Sequence, residues 1–173
     1  MKRIVTARVT NQAGVLNRVT GLFSKRHFNI ESITVGHTET PGISKMTFVV
    51  HVESKRDTEQ LMKQLNKQID VLKVSDISDQ QVVARELALI KVMVNAQTRS
   101  EIVGLVEPFR AGVIDVSRDS LTVQVTGDSE KVEALIDLLR PYGIKELART
   151  GITAFPRAAQ KPVTKMKQYS IIK

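Results

Sequence analysis

The sequence predicts an α+β protein of two consecutive units, each with the order β-α-β-β-α-β. Two observations carry this expectation. The apolar residues switch between a period of two and a period near 3.6, which separates strands from helices. The same series of switches occurs twice along the 173 residues, with turn residues at the changes of period.

In the first unit, Ile4 to Val9 reads as a strand. Asn11-Gln12-Ala13-Gly14 makes a turn. Val15, Leu16, Val19, Leu22 and Phe23 then follow at helical spacing, with Arg18, Lys25 and Arg26 off that stripe. Two β-rich runs, Asn29–Thr38 and Ile43–Val52, flank the hairpin turn Thr40-Pro41-Gly42. A second helix is expected from Asp57, a good N-cap residue, through Leu61, Met62, Leu65 and Ile69. Asp70–Ile77 closes the unit as a short strand, and the polar stretch Ser75–Gln81 reads as the linker.

The second unit opens with a strand over Glu86–Val94. A helix over Thr98–Phe109 follows, with Ile102, Leu105 and Val106 on one face and Ser100 or Thr98 as its cap. Strands Gly112–Val116 and Ser120–Thr126 are joined by Ser117-Arg118-Asp119. A helix over Ser129–Tyr142 points Val132, Leu135, Ile136 and Leu139 inward and stops at Pro141 and Gly143. Ile144–Thr153 is the last strand. The expected boundaries are therefore residues 1–77, residues 78–157, and a basic, flexible tail over 158–173.

Each β-α-β-β-α-β unit makes a four-stranded antiparallel sheet with both helices on one face. Units under about 85 residues are marginal alone, and their open sheet edges invite pairing. A homodimer, edge to edge or face to face, is the simplest expectation.

Composition narrows the function classes. With 42% hydrophobic and 25% charged residues the chain reads as soluble and globular. The absence of cysteine removes disulfides and thiolate chemistry. No apolar run is long enough for a membrane span, and Arg8 interrupts any signal-peptide centre. A cytoplasmic protein is expected. The net charge is +8, but Arg157, Lys161, Lys165, Lys167 and Lys173 supply five of those charges from the acid-free stretch Pro156–Lys173. A nucleic-acid-binding regulator would need aromatic residues on its central strands, and the relevant runs offer Phe48 and little else. His27, His37 and His51 lack metal-ligand spacing. Neither a nucleophile-elbow motif nor a phosphate-binding glycine loop occurs, so no catalytic or metal site is expected.

The prominent feature is Asn11-Gln12-Ala13-Gly14-Val15-Leu16 opening a helix. Free N–H groups at a helix start attract an anion. Gly14 lets a ligand approach the backbone, and Asn11 offers both a donor and an acceptor. That set suits a zwitterion, although the same residues also make an ordinary cap and turn. Asn29 can add a second amide, from the same chain or from a dimer mate.

The run Asn11-Gln12-Ala13-Gly14-Val15-Leu16-Asn17-Arg18-Val19-Thr20-Gly21-Leu22-Phe23 closely resembles the opening of the small, regulatory subunit of acetolactate synthase (acetohydroxyacid synthase). Phe28-Asn29-Ile30-Glu31-Ser32-Ile33-Thr34-Val35-Gly36 resembles that family's most recognisable stretch. Lys45–Val50, Gln64–Val74, Arg85–Val92 and Phe109–Val116 are also similar to its pattern, and the likeness spans about residues 2 to 155. The resemblance implies an N-terminal ACT domain, which binds small amino acids at domain interfaces, and a second ferredoxin-like domain. It implies a separate catalytic subunit as partner, activation of that subunit, and feedback inhibition by valine. The thiamine diphosphate, magnesium and FAD would belong to the catalytic subunit, with no cofactor in this chain. The family's valine contacts carry over onto Asn11, Gly14 and Asn29, with Val15, Leu16 and Ile30 beside them. In that reading valine bridges two ACT domains, Asn11 and the Gly14 backbone from one chain and Asn29 from the other. The sequence departs from the family pattern at His27, where glycine is frequent, and at Ala13, where proline or serine is common. Histidine at position 27 is expected to end the helix in the left-handed region at some cost.

Overall fold

The computed structural model describes residues 1–158, so the expected tail lies outside the described residues except for Ala158. The first unit comprises β1 (Lys2–Thr10), α1 (Val15–Lys25), β2 (Asn29–His37), β3 (Ile43–His51), α2 (Lys55–Asn66) and β4 (Val71–Asp76). The second comprises β5 (Val82–Met93), α3 (Thr98–Val106), β6 (Gly112–Val116), β7 (Ser120–Gly127), α4 (Ser129–Leu139) and β8 (Ile144–Arg149). A further strand, β9 (Thr153–Pro156), ends the described chain. Strand orders are β2-β3-β1-β4 and β6-β7-β5-β8, with all pairs antiparallel. Both units therefore have the expected β-α-β-β-α-β path.

Alternation decides the faces of the first sheet. Val5, Ala7 and Val9 of β1 and Met46, Phe48 and Val50 of β3 point to the helices and are buried. Val15, Val19, Leu22 and Phe23 of α1 and Leu61 and Leu65 of α2 close over them. The Phe23 and Phe48 rings meet with centroids 4.9 Å apart. In the second unit Ala88, Ile90, Val92, Leu121, Val123 and Val125 do the same beneath α3 and α4.

Helix ends explain several shifts from the expected boundaries. Ser54, and not Asp57, is the N-cap of α2. Ser54 Oγ accepts from the Asp57 N–H while Asp57 accepts from the Ser54 N–H, a reciprocal capping box. The helix stops at Asn66, and Ile69 is 93% exposed instead of lying on its buried face. Pro108 and Pro141 carry no N–H, and the helices expected to run through them give way to 3-10 turns at Glu107–Phe109 and Arg140–Tyr142. α3 has no side-chain cap of its own; Asn95 Oδ1 takes the N–H groups of Gln97 and Thr98. Helix α1 ends in a Schellman motif: the Phe28 N–H reaches Phe23 O and the His27 N–H reaches Ser24 O. His27 stands at φ 58, the left-handed position expected of it.

The expected final strand is broken. Thr150–Ile152 interrupts it, and Thr153–Pro156 turns away to pair with Val82–Arg85, so β5 extends beyond the second sheet into a two-stranded ribbon with β9. That ribbon lies on the first sheet's helix-free face. Ile152, Ala154, Val82 and Ala84 pack on Val49, Ile77 and Ile4. Thr34 Oγ1 donates to Ile152 O at 2.9 Å, and Lys45 Nζ donates to Ala154 O at 2.7 Å. A face that was open to a second copy in the sequence reading is thus partly covered from within the chain. Strands β2 and β4 remain the first sheet's edges.

Candidate functional site

The turn after β1 is drawn tight by the Asn11 N–H bonding Gly42 O at 2.8 Å and the Gln12 N–H bonding Thr10 O at 3.1 Å. Gly14, at φ 82, then starts α1. No side chain caps this helix, and among the described residues the N–H groups of Gly14, Leu16 and Asn17 make no hydrogen bond. The ordinary-cap alternative for Asn11 is therefore not realised. Its amide faces sideways instead, Nδ2 lying 3.5 Å from His37 Nδ1 at the far end of β2. The helix mouth carries free donors, the positive end of the helix dipole and no acidic residue in its first turn.

Arg18, which the sequence marks only as lying off the apolar stripe, adds a guanidinium to this mouth, ion-paired on its far side. A Cβ built on Gly14 would stand 3.0 Å from Arg18 Nη1, so the guanidinium covers this turn. Its Nε and Nη2 both reach Asp70 Oδ2 at 2.7 Å. Asp70 is largely buried and takes a 3.3 Å contact from the Thr10 hydroxyl. The signal was available: position 18 is one helical turn from Gly14 and shares its face. His37 was noticed in the sequence as a histidine but not as a neighbour of Asn11.

The remaining residues sort by position. Val15 is buried in the core with its N–H already bonded to Gln12 O at 3.3 Å, whereas Leu16 is 46% exposed beside the mouth. Ile30 is half-buried against the first core. Asn29 is exposed and pairs with His51 at one end of β3, whereas Thr10, next to Asn11, pairs with Ile43 at the other. Eight residues at about 3.4 Å each put these ends about 27 Å apart. One chain cannot bring Asn11 and Asn29 to one small molecule. Phe48, the single aromatic considered for nucleic-acid stacking, is wholly buried.

Among the described residues, no group of three or more His, Asp or Glu is placed to hold a metal ion, and no helix is long and apolar enough to cross a membrane. Two consecutive β-α-β-β-α-β modules place the chain in the class of paired ferredoxin-like α+β proteins, the first module carrying an uncapped helix mouth beside Arg18. The comparisons sharpen this. Residues 6–73 match the model of the AHAS small subunit-like ACT domain, and residues 85–158 match that of the small subunit of acetolactate synthase. The acetolactate synthase small subunit of Bacillus subtilis is 67% identical over 99% of this chain and all of its own length. A probable small subunit from Archaeoglobus fulgidus is 53% identical over 93% of this chain and all of its own. The crystal structure of the Thermotoga maritima small subunit superposes with a TM-score of 0.85 at 42% identity, covering 92% of this chain and 99% of that one. The chain belongs to the acetolactate synthase small-subunit family.

Proposed function

We propose that this chain binds the catalytic subunit of acetolactate synthase, raises its activity, and makes it sensitive to feedback inhibition by valine. The thiamine diphosphate, magnesium and FAD are assigned to that larger subunit. The observation that carries the valine site is the separation of Asn29 from Asn11 along one sheet, set beside the open edge of β2.

A two-fold axis at the middle of β2 resolves that separation. Full-length antiparallel pairing of β2 with its copy sets Asn29 of the second chain opposite His37, the residue that touches Asn11. Each seam then gathers the Gly14 helix mouth and Arg18 for a carboxylate, amide oxygens of Asn11 and the partner's Asn29 for an ammonium, and Leu16 for an aliphatic side chain. The dimer holds two such sites. Valine favours the paired arrangement, and the catalytic subunit responds to which arrangement it meets; couplings of this kind are about 1–3 kcal/mol. Leucine and isoleucine differ by one methylene, worth roughly 1–3 kcal/mol in a fitted pocket, so they inhibit partially.

Mixed dimers test this. Asn11→Ala and Asn29→Ala chains each lose valine binding as homodimers. Mixed together, they form dimers with one doubly defective seam and one intact seam, and calorimetry regains up to half the valine sites per mixed dimer. A site within one chain gives no recovery on mixing, and that result would overturn the seam.

A further inference from the structure

The first sheet's helix-free face is organised in rows across its strands. One row, Ile4, Val49 and Ile77, is apolar and sits under the β5–β9 ribbon. The next carries hydroxyls: Thr6 opposite Thr47 on one side and Ser75 on the other. The third is cationic. Arg8 of β1 is directly opposite Lys45 of β3 and Lys73 of β4. Like charges directly across a sheet destabilise it, and here there are three in line on adjacent strands. Burial first, and then the Arg8 charge, hold the Lys45 ammonium below its ordinary range.

These groups line a cavity of about 320 Å³. Its basic members are Arg8, Lys45 and Lys73, its hydroxyls are those of Thr6, Thr38 and Ser75, and Ile77 and Pro156 form apolar walls. Glu39 is the single acid of the lining; it meets Arg8 at 2.9 Å from the rim, with its side chain 75% exposed. The lining therefore keeps a surplus of two positive charges. Lys45 spends one donor on Ala154 O, and Lys73 and the Ser75 hydroxyl make no hydrogen bond among the described residues. The cavity is on the opposite side of the sheet from α1 and shares no residue with the Asn11–Gly14 mouth.

We propose that this cavity binds the phosphate group of a small phosphate monoester. A phosphate dianion has equivalent oxygens enough for a guanidinium, two ammonium groups and the Ser75 hydroxyl at once, the Thr6 and Thr38 hydroxyls already donating to the Ser75, Thr40 and Ile43 carbonyls. It also relieves the repulsion within the cationic row. The cavity exceeds a phosphate in size, and the Ile77 and Pro156 walls suit a short organic body. This site is independent of the proposed valine seam.

The test is isothermal titration calorimetry of the full chain at about 0.15 M salt, where exposed charges are screened within roughly 8 Å. The probes are glycerol 2-phosphate, inorganic phosphate and succinate. Saturable binding of glycerol 2-phosphate is expected, weakened roughly tenfold by Lys73→Gln and by Arg8→Gln and unchanged by Gly14→Asp. Both cation variants sit on exposed or half-exposed side chains, and a thermal melt confirms that they fold. Equal binding of the two phosphates assigns the free ion as an equally good occupant of the same phosphate site. Succinate matching phosphate, no saturation by either phosphate, or binding indifferent to both cation variants would each overturn the proposal.

Discussion

Replacing Gly14 with aspartate places a carboxylate where the proposed ligand carboxylate lies. The effect on folding is small. The φ of 82 costs a side chain about 1–2 kcal/mol. Part of this is returned, because an anion at a helix start gains about 0.3–1 kcal/mol from the dipole. The built Cβ meets only Arg18 Nη1, the far end of a flexible side chain. The effect on binding is large. Two like charges about 4 Å apart at an effective dielectric near 20 repel by about 4 kcal/mol, roughly a thousandfold in affinity. Salt at this exposed turn lowers that figure, and the valine needed for half-inhibition rises at least about tenfold. The assay is acetolactate formation by the catalytic subunit reconstituted with the Gly14→Asp chain, across a valine series, with subunit association followed in parallel. Activation and association persist while valine sensitivity is lost. An unchanged valine curve would refute the placement of the carboxylate at this helix mouth.

Further expectations follow from the same geometry. Arg18→Met leaves the largely buried Asp70 carboxylate with one 3.3 Å contact from Thr10 Oγ1, and chemical denaturation should register a loss of about 1–3 kcal/mol; an unaltered midpoint contradicts it. His27→Gly relieves the left-handed backbone at the Schellman turn, so the melting temperature rises by the equivalent of about 0.5–1 kcal/mol. Phe48→Ala empties the centre of the first core, where the ring is wholly buried against Phe23; the cost is about 3–5 kcal/mol, read by denaturant unfolding. Hydrogen bonding to Arg3 holds the Asp79 carboxyl below the usual carboxylate range. A depressed folded pKa contributes stability that is present above the unfolded value, about 3.9 for aspartate, and is lost as pH falls through the folded value. Melts between about pH 3 and 6 should therefore show a shallower acid limb in Arg3→Gln than in the parent; identical limbs count against the Arg3 clamp.

Much of this protein was legible in the linear chain, because periodicity is a local property. Alternation of Val5, Ala7 and Val9 against Arg8 and Thr6 marks a strand with one buried face whatever it packs on, and Asn11-Gln12-Ala13-Gly14 marks a turn before a helix because these residues break both periods. The run from Asn11 to Ser32 likewise carries the family resemblance. Where local rules compete, the sequence was less decisive. Asp57 is a good cap in isolation, but Ser54 three residues earlier completes a reciprocal box and so starts the helix sooner. Ile69 fits a helical stripe, yet α2 has already ended and the side chain projects outward.

Tertiary structure alone decided the rest, because it depends on which strands become neighbours. Register places Asn11 and Asn29 at opposite ends of β3, a separation invisible in an 18-residue spacing, and it makes a second chain necessary for the proposed valine site. The position of β1 between β3 and β4 brings Arg8, Lys45 and Lys73 into one row from three distant stretches of sequence. The fold of Thr153–Pro156 back onto β5 covers a sheet face that the β-α-β-β-α-β pattern leaves open. Side-chain period is written residue by residue; strand adjacency is a choice among pairings that only the packed chain makes.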